Sequence, residues 1–111
     1  MKKILMCIPF FFSCFDRSAN VDYQDMIDSG GIILDVRSES EFSSGHIENS
    51  LNIPVGSLSS NLYQLKDKNQ PIITCCASGV RSGRARKILI DAGYMNVVNG
   101  GGWKRLDSKL H

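Results

Sequence analysis

The stretch Thr74-Cys75-Cys76-Ala77-Ser78-Gly79-Val80-Arg81-Ser82, TCCASGVRS, decides how this chain is read. The apolar run "QPIIT" leads into it. "SGRARKILIDAGY" leads out, with Ala85, Ile88, Leu89 and Ala92 at helical spacing and Gly93 as the stop. The local prediction is a strand, a loop of small residues and a helix. Such a turn can hold a thiolate without a metal. Backbone N–H groups curl in around the sulfur, and the start of the helix adds positive potential. Arg81 would add a fixed charge beside it. Surroundings of this kind bring a cysteine pKa from ~8.5 to roughly 3.5–7.5. Strand alternation gives the loop to Cys76 and turns Cys75 away from it, into packing.

Outward from the loop, short apolar runs keep alternating with helical patterns. "DYQDMIDSGG" has Tyr23, Met26 and Ile27 at helical spacing, Asp22 as N-cap and Gly30 as C-cap. "GIILDV" is nearly continuous, as for a strand buried on both faces. "ESEFSSGH" reads as a short helix or turn, and "SLNIPV" as a second short strand stopped by Pro54. "SLSSNLYQLKDK" carries Leu58, Leu62 and Leu65 at helical spacing. "NVVNGGG" is a last strand running into three glycines, and "WKRLDSKLH" a terminal helical turn and tail. The alternation predicts an α/β domain with a mainly parallel sheet. In such sheets the reactive site lies beyond the carboxyl ends of strands, where the Cys76 loop stands.

The chain has 111 residues, 42% hydrophobic, enough for one core. Its formal net charge of +2 is too small to argue for a nucleic-acid partner. The densest basic cluster is Arg81, Arg84, Arg86 and Lys87, and a solvated helix face accounts for Arg86 and Lys87. The four cysteines do not form a disulfide framework or a zinc-ligand spacing, so no metal is expected. "MKKILMCIPFFFSCF" opens with Lys2 and Lys3, and an apolar stretch runs from Ile4 to Phe12. Residues 1–16 are expected to be an export signal and residues 17–111 the domain, working in the periplasm or cell envelope. Ser13-Cys14 resembles a lipoprotein cleavage site, which would anchor the domain to a membrane through Cys14. The alternative is an added N-terminal strand or helix of the fold.

"LDVRSESEFSSGHIENSLNIP" (34–54), "CASGVRSGRA" (76–85) and "AGYMNVVNGGGWKRL" (92–106) together resemble the successive motifs of a rhodanese domain, over nearly all of residues 21–106. Single-domain exported bacterial thiosulfate sulfurtransferases are the type it resembles most. The resemblance implies a five-stranded, mainly parallel sheet with helices on both faces. It also implies sulfur transfer through a persulfide on Cys76, from thiosulfate or another persulfide to a thiol or cyanide. The residues Ala77, Ser78, Gly79, Val80, Arg81 and Ser82 would hold the anionic sulfur. No organic cofactor is implied, and a monomer is expected. Cys76 to Arg81 is a six-residue loop with Gly79 in the family's glycine place. Counting from Cys75 gives a seven-residue loop, as in phosphatases, with Ser78 where their glycine belongs. Many thiosulfate-active relatives have Arg directly after the cysteine, where this chain has Ala77. That leaves the donor open.

Asp35 and Arg37 fall at the end of the "GIILDV" strand. Either Asp35 orients the loop arginine and Arg37 shapes the mouth, or the two form a structural ion pair. Glu41, Phe42 and His46 read as structural, since a thiolate that is already ionised needs no general base. Trp103 reads as packed or as lining the mouth, and Gly100 to Gly102 as a tight turn beneath the site. Three functions stay open: a sulfurtransferase, a cysteine-dependent phosphatase, and a non-catalytic persulfide-carrier or interaction module.

Overall fold

A computed structural model of the protein describes residues 21–111. The expected export signal over residues 1–16, and Cys14 with it, lies outside the described residues.

Helix α1 (Tyr23–Asp28) is capped by Asp22, whose carboxylate accepts the Asp25 N–H at 3.0 Å. Strand β1 (Ile32–Asp35) follows, then α2 (Glu39–Ser43) and the two-residue strand β2 (Leu51–Asn52). Strand β3 (Ile72–Cys76) runs into the loop, and α3 (Val80–Asp91) runs out of it. Strand β4 (Val97–Gly102) and helix α4 (Trp103–Asp107) complete the order. The strands lie β2-β1-β3-β4, and every pairing is parallel.

The five strands implied by the family resemblance are a correction: among the described residues the sheet has four. Residues 21–111 contain four apolar runs of strand type, and each forms one strand. The other apolar residues recur at helical spacing and are spent on helices. Helices do flank both faces. On one face Leu34, Ile72, Ala85 and Leu89 pack with Leu58 and Leu65. On the other, Ile33, Ile73, Cys75 and Leu106 pack with Tyr23, Met26 and Trp103. The central strands β1 and β3 are therefore apolar on both sides, which explains their continuous runs.

The segment expected to be one helix through Leu58, Leu62 and Leu65 also departs from expectation. A 3₁₀ turn, Val55–Ser57, precedes it, and the segment itself is a 3₁₀ helix, Ser59–Gln64, with a break at Asn61 (φ −123°). Asn61 donates its side-chain amide to the Ser57 carbonyl at 2.7 Å, a local bond that competes with an α-helical ladder. Leu58 and Leu65 reach the core regardless.

Candidate active site

Alternation along β3 separates the two cysteines. Cys75 enters the Ile33–Leu106 cluster, and Cys76 the opposite one. Burial pushes the Cys75 thiol up to about 12, with the Asp35 charge adding to it. Burial also acts upward on Cys76, but hydrogen bonds outweigh it. The Ser82 hydroxyl and the N–H groups of Ser82, Ser78 and Gly79 bring Cys76 down to about 7.

The geometry behind this is compact. The Gly79 N–H reaches the Cys76 Sγ at 3.0 Å and the Ser82 N–H at 3.4 Å. The Ser82 Oγ stands 3.4 Å from the same sulfur. Gly79 turns the chain with φ +106°, a left-handed conformation that glycine adopts without strain. Across the loop, Gly102 pairs with Cys76 beyond a register shift in β4. A Cβ on Gly102 would sit 2.9 Å from the Ala77 carbonyl, so only glycine allows this approach. Ser82 is buried, and its N–H and hydroxyl both face the sulfur.

Asn99 holds the loop together in a way that the sequence reading missed. Its Oδ1 accepts the Ser82 hydroxyl at 2.7 Å and the Gly101 N–H at 2.9 Å. Its amide donates to the Gly79 carbonyl at 3.1 Å. One side chain from β4 thus fixes both ends of the sulfur cradle. The only signal in sequence was a polar residue inside "NVVNGGG".

Arg81 is held from outside the loop. Its Nη1 and Nη2 meet the two carboxylate oxygens of Glu41 at 2.7 and 3.1 Å. The Arg81 bond, seconded by the Ser38 N–H, holds the Glu41 carboxyl down to about 2. Glu41 is itself fixed by the capping box of α2, accepting the Ser38 N–H at 3.0 Å. The charge expected to serve the sulfur is therefore shared with a carboxylate. Arg81 still feels the Cys76 charge, which adds to the upward shift that Glu41 gives its pKa. For the transfer from thiosulfate that the resemblance implies, replacing Arg81 with Ala should raise KM roughly three- to tenfold, because it both removes a cation and unmasks Glu41; partial exposure limits the effect. The double variant Arg81→Ala/Glu41→Gln should recover most of that loss. Steady-state kinetics of the parent, Arg81→Ala, Glu41→Gln and the double variant reads the difference.

Arg37 is buried as a strut. It forms a two-pronged pair with Asp35, the shorter bond 2.7 Å, and donates to the Gly45 carbonyl at 2.8 Å. Its guanidinium lies 4.7 Å from the Trp103 ring centroid. Among the described residues none of its hydrogen bonds reaches the loop. His46 stacks on Phe42 and bonds the Phe42 carbonyl at 2.7 Å, holding its turn. Ala77 and Ser78 are exposed, and Trp103 beside them lines the same cavity. Val80 is exposed at the first turn of α3. Among the described residues no cluster of His, Cys, Asp or Glu could hold a metal ion.

A cysteine sulfur cradled by amides stands at the end of a parallel strand, and the family model of the Rhodanese-like domain matches residues 19–109. The chain belongs to the rhodanese family. Thiosulfate sulfurtransferase PspE of Escherichia coli is 33% identical over 72 residues, 64% of this chain and 69% of that protein. Thiosulfate sulfurtransferase GlpE of Haemophilus influenzae is 31% identical over 87 residues, 75% of this chain and 82% of that protein. Among solved structures, a rhodanese with anions from E. coli superposes with TM-score 0.63 at 32% identity, covering 67% of this chain and 88% of that one. A human single-domain sulfurtransferase, TSTD1, gives TM-score 0.66 at 28% identity, covering 76% and 87%. Its relatives thus include several single-domain sulfurtransferases.

Proposed function

We propose that this rhodanese moves a sulfane sulfur from thiosulfate or a persulfide to a thiol or cyanide through a persulfide on Cys76. The observation that carries the reading is the Cys76 sulfur, held by N–H groups at 3.0 and 3.4 Å with a pKa of about 7. Near neutral pH about half of it is the nucleophile. The Cys76 thiolate attacks the outer sulfur of thiosulfate, a new S–S bond forms, and the old one breaks with its electron pair leaving on sulfite. The persulfide anion then occupies the cradle. An acceptor thiolate takes the outer sulfur, and the pair of the broken bond returns to Cys76. Val80 and Arg81, at the entry to α3, are assigned to the same cradle through their backbone N–H groups.

Mass spectrometry after thiosulfate treatment tests this. A gain of one sulfur, reversed by cyanide, is expected. No gain, with hydrolysis of an aryl phosphate instead, would show a phosphatase. A gain without catalytic turnover to cyanide would show a carrier.

Export is part of the proposal, supported by Lys2, Lys3 and the Ile4–Phe12 run. Mass analysis of the N-terminus from native cells should find a chain beginning near Cys14. A chain that keeps Met1 in the cytosol overturns it.

A further inference from the structure

The cradle explains how one sulfur is held, but not what brings the acceptor to it. Two adjoining cavities border the loop at the carboxyl ends of β3 and β4. One, of about 480 Å³, has Ala77 and Ser78 on one side and Trp103, Lys104 and Arg105 on the other. The second, of about 350 Å³, lies between Ser78, the Gly100–Gly102 backbone, Arg105 and Lys109. Ser78, Gly102 and Arg105 belong to both, so the two form one groove beside the loop. Each is of a size that takes a small molecule.

The groove carries one sign of charge. Lys104, Arg105 and Lys109 are exposed, and among the described residues none of them forms an ion pair. Among the described residues no acidic one lines either cavity. Asp107, on the same helix, faces a different cavity, with Gln24 and Leu110. Lys104 and Lys109 lie over the rings of Trp103 and Tyr23, at 5.7 and 5.6 Å from the centroids, which keeps their stems against the surface. By contrast, the arginine at the other side of the loop is neutralised by Glu41. Exposed positive charge with no acidic partner thus lines the groove from α4 and the turn after it.

From this asymmetry we infer that the groove is the acceptor subsite, and that it selects small thiols with an anionic tail. The inference rests on the sulfurtransferase reading. The tail carboxylates sit on Arg105 and Lys109 while the thiolate reaches past Ser78 to the outer sulfur of the Cys76 persulfide. There the thiolate forms an S–S bond to that sulfur, the bond to Cys76 Sγ breaks with its pair on Sγ, and the acceptor leaves as a persulfide. No oxidant or reductant is consumed.

The test separates the half-reactions. Protein loaded with thiosulfate is discharged by mercaptosuccinate, 2-mercaptoethanol or cysteamine, with rates compared per thiolate, and by cyanide as an acceptor with no tail. The dianionic thiol should be favoured over the cationic one, roughly tenfold or more at low salt, and the preference should shrink as salt rises. In Arg105→Gln/Lys109→Gln, discharge by mercaptosuccinate should fall about tenfold, while loading and discharge by cyanide stay near the parent. Normal loading with no charge preference, or a preference that survives the double substitution, overturns the inference alone. A protein that takes up no sulfur overturns the sulfurtransferase reading and the inference with it.

Discussion

Cys76→Ser is expected to take up no measurable sulfur from thiosulfate, while Cys75→Ala takes up most of the parent amount. The two sulfurs are neighbours in sequence and opposites in environment. Near pH 7 Cys76, at about 7, supplies thiolate, whereas Cys75, pushed up to about 12, stays a thiol. Both sulfurs are nearly fully buried, but Cys75 lies in the Ile33–Leu106 cluster while Cys76 faces the loop amides. A serine at position 76 keeps the shape of the loop but not an ionisable nucleophile. Alanine is the better probe at 75, because a serine there would bury a hydroxyl among Ile33, Ile73 and Leu106 at ~1–3 kcal/mol. Intact-mass analysis of both variants after thiosulfate treatment decides the matter. Equal loss in two folded proteins would sink the assignment of the nucleophile to Cys76.

The prediction for Cys76 could be reached from sequence because its determinants are local. Strand alternation, the small loop residues and Gly79 lie within a few positions of the sulfur. The same holds for the apolar runs of β1 and β3, whose burial on two faces is written in consecutive residues. What was hidden depends on contacts across long separations. Glu41 looked like an ordinary helix charge, and only folding brings it to Arg81, 40 positions away. Asn99 looked like a polar interruption in a strand, yet it fixes both Gly79 and Ser82. Arg37 had two readings from sequence, and only folding shows its ion pair with Asp35 and its place against the Trp103 ring. The strand count failed for another reason. Five came from the family resemblance, while the residues themselves offered four apolar runs. Leu58, Leu62 and Leu65 had helical spacing, but spacing did not register that Asn61 would bond the Ser57 carbonyl and break the helix.

Ser82→Ala should move the rising limb of the kcat/KM profile for thiosulfate to higher pH, and lower the rate at pH 7 roughly five- to tenfold. Burial acts upward on the Cys76 pKa, and the Ser82 hydroxyl is the largest of the contacts acting downward. The reaction needs the thiolate, which in the parent is present above about pH 7 and lost below it. Removing the hydroxyl raises the pKa, so the deficit belongs to neutral and acidic pH. Above the variant's own pKa the thiolate is complete again, and a more basic thiolate is, if anything, the better nucleophile. Asn99 makes the hydroxyl available. Ser82 donates to Asn99 at 2.7 Å, but Asn99 Oδ1 also holds the Gly101 N–H at 2.9 Å. When Cys76 ionises, the Ser82 proton can turn to the sulfur, and Asn99 keeps a partner. Asn99→Asp should shift the limb in the same direction, since a carboxylate retains the Ser82 proton and repels the thiolate. A rate loss that is uniform from pH 6 to 10 in either variant would mean that these residues merely support the loop. Recovery at high pH is the mark of a group that sets the charge on Cys76.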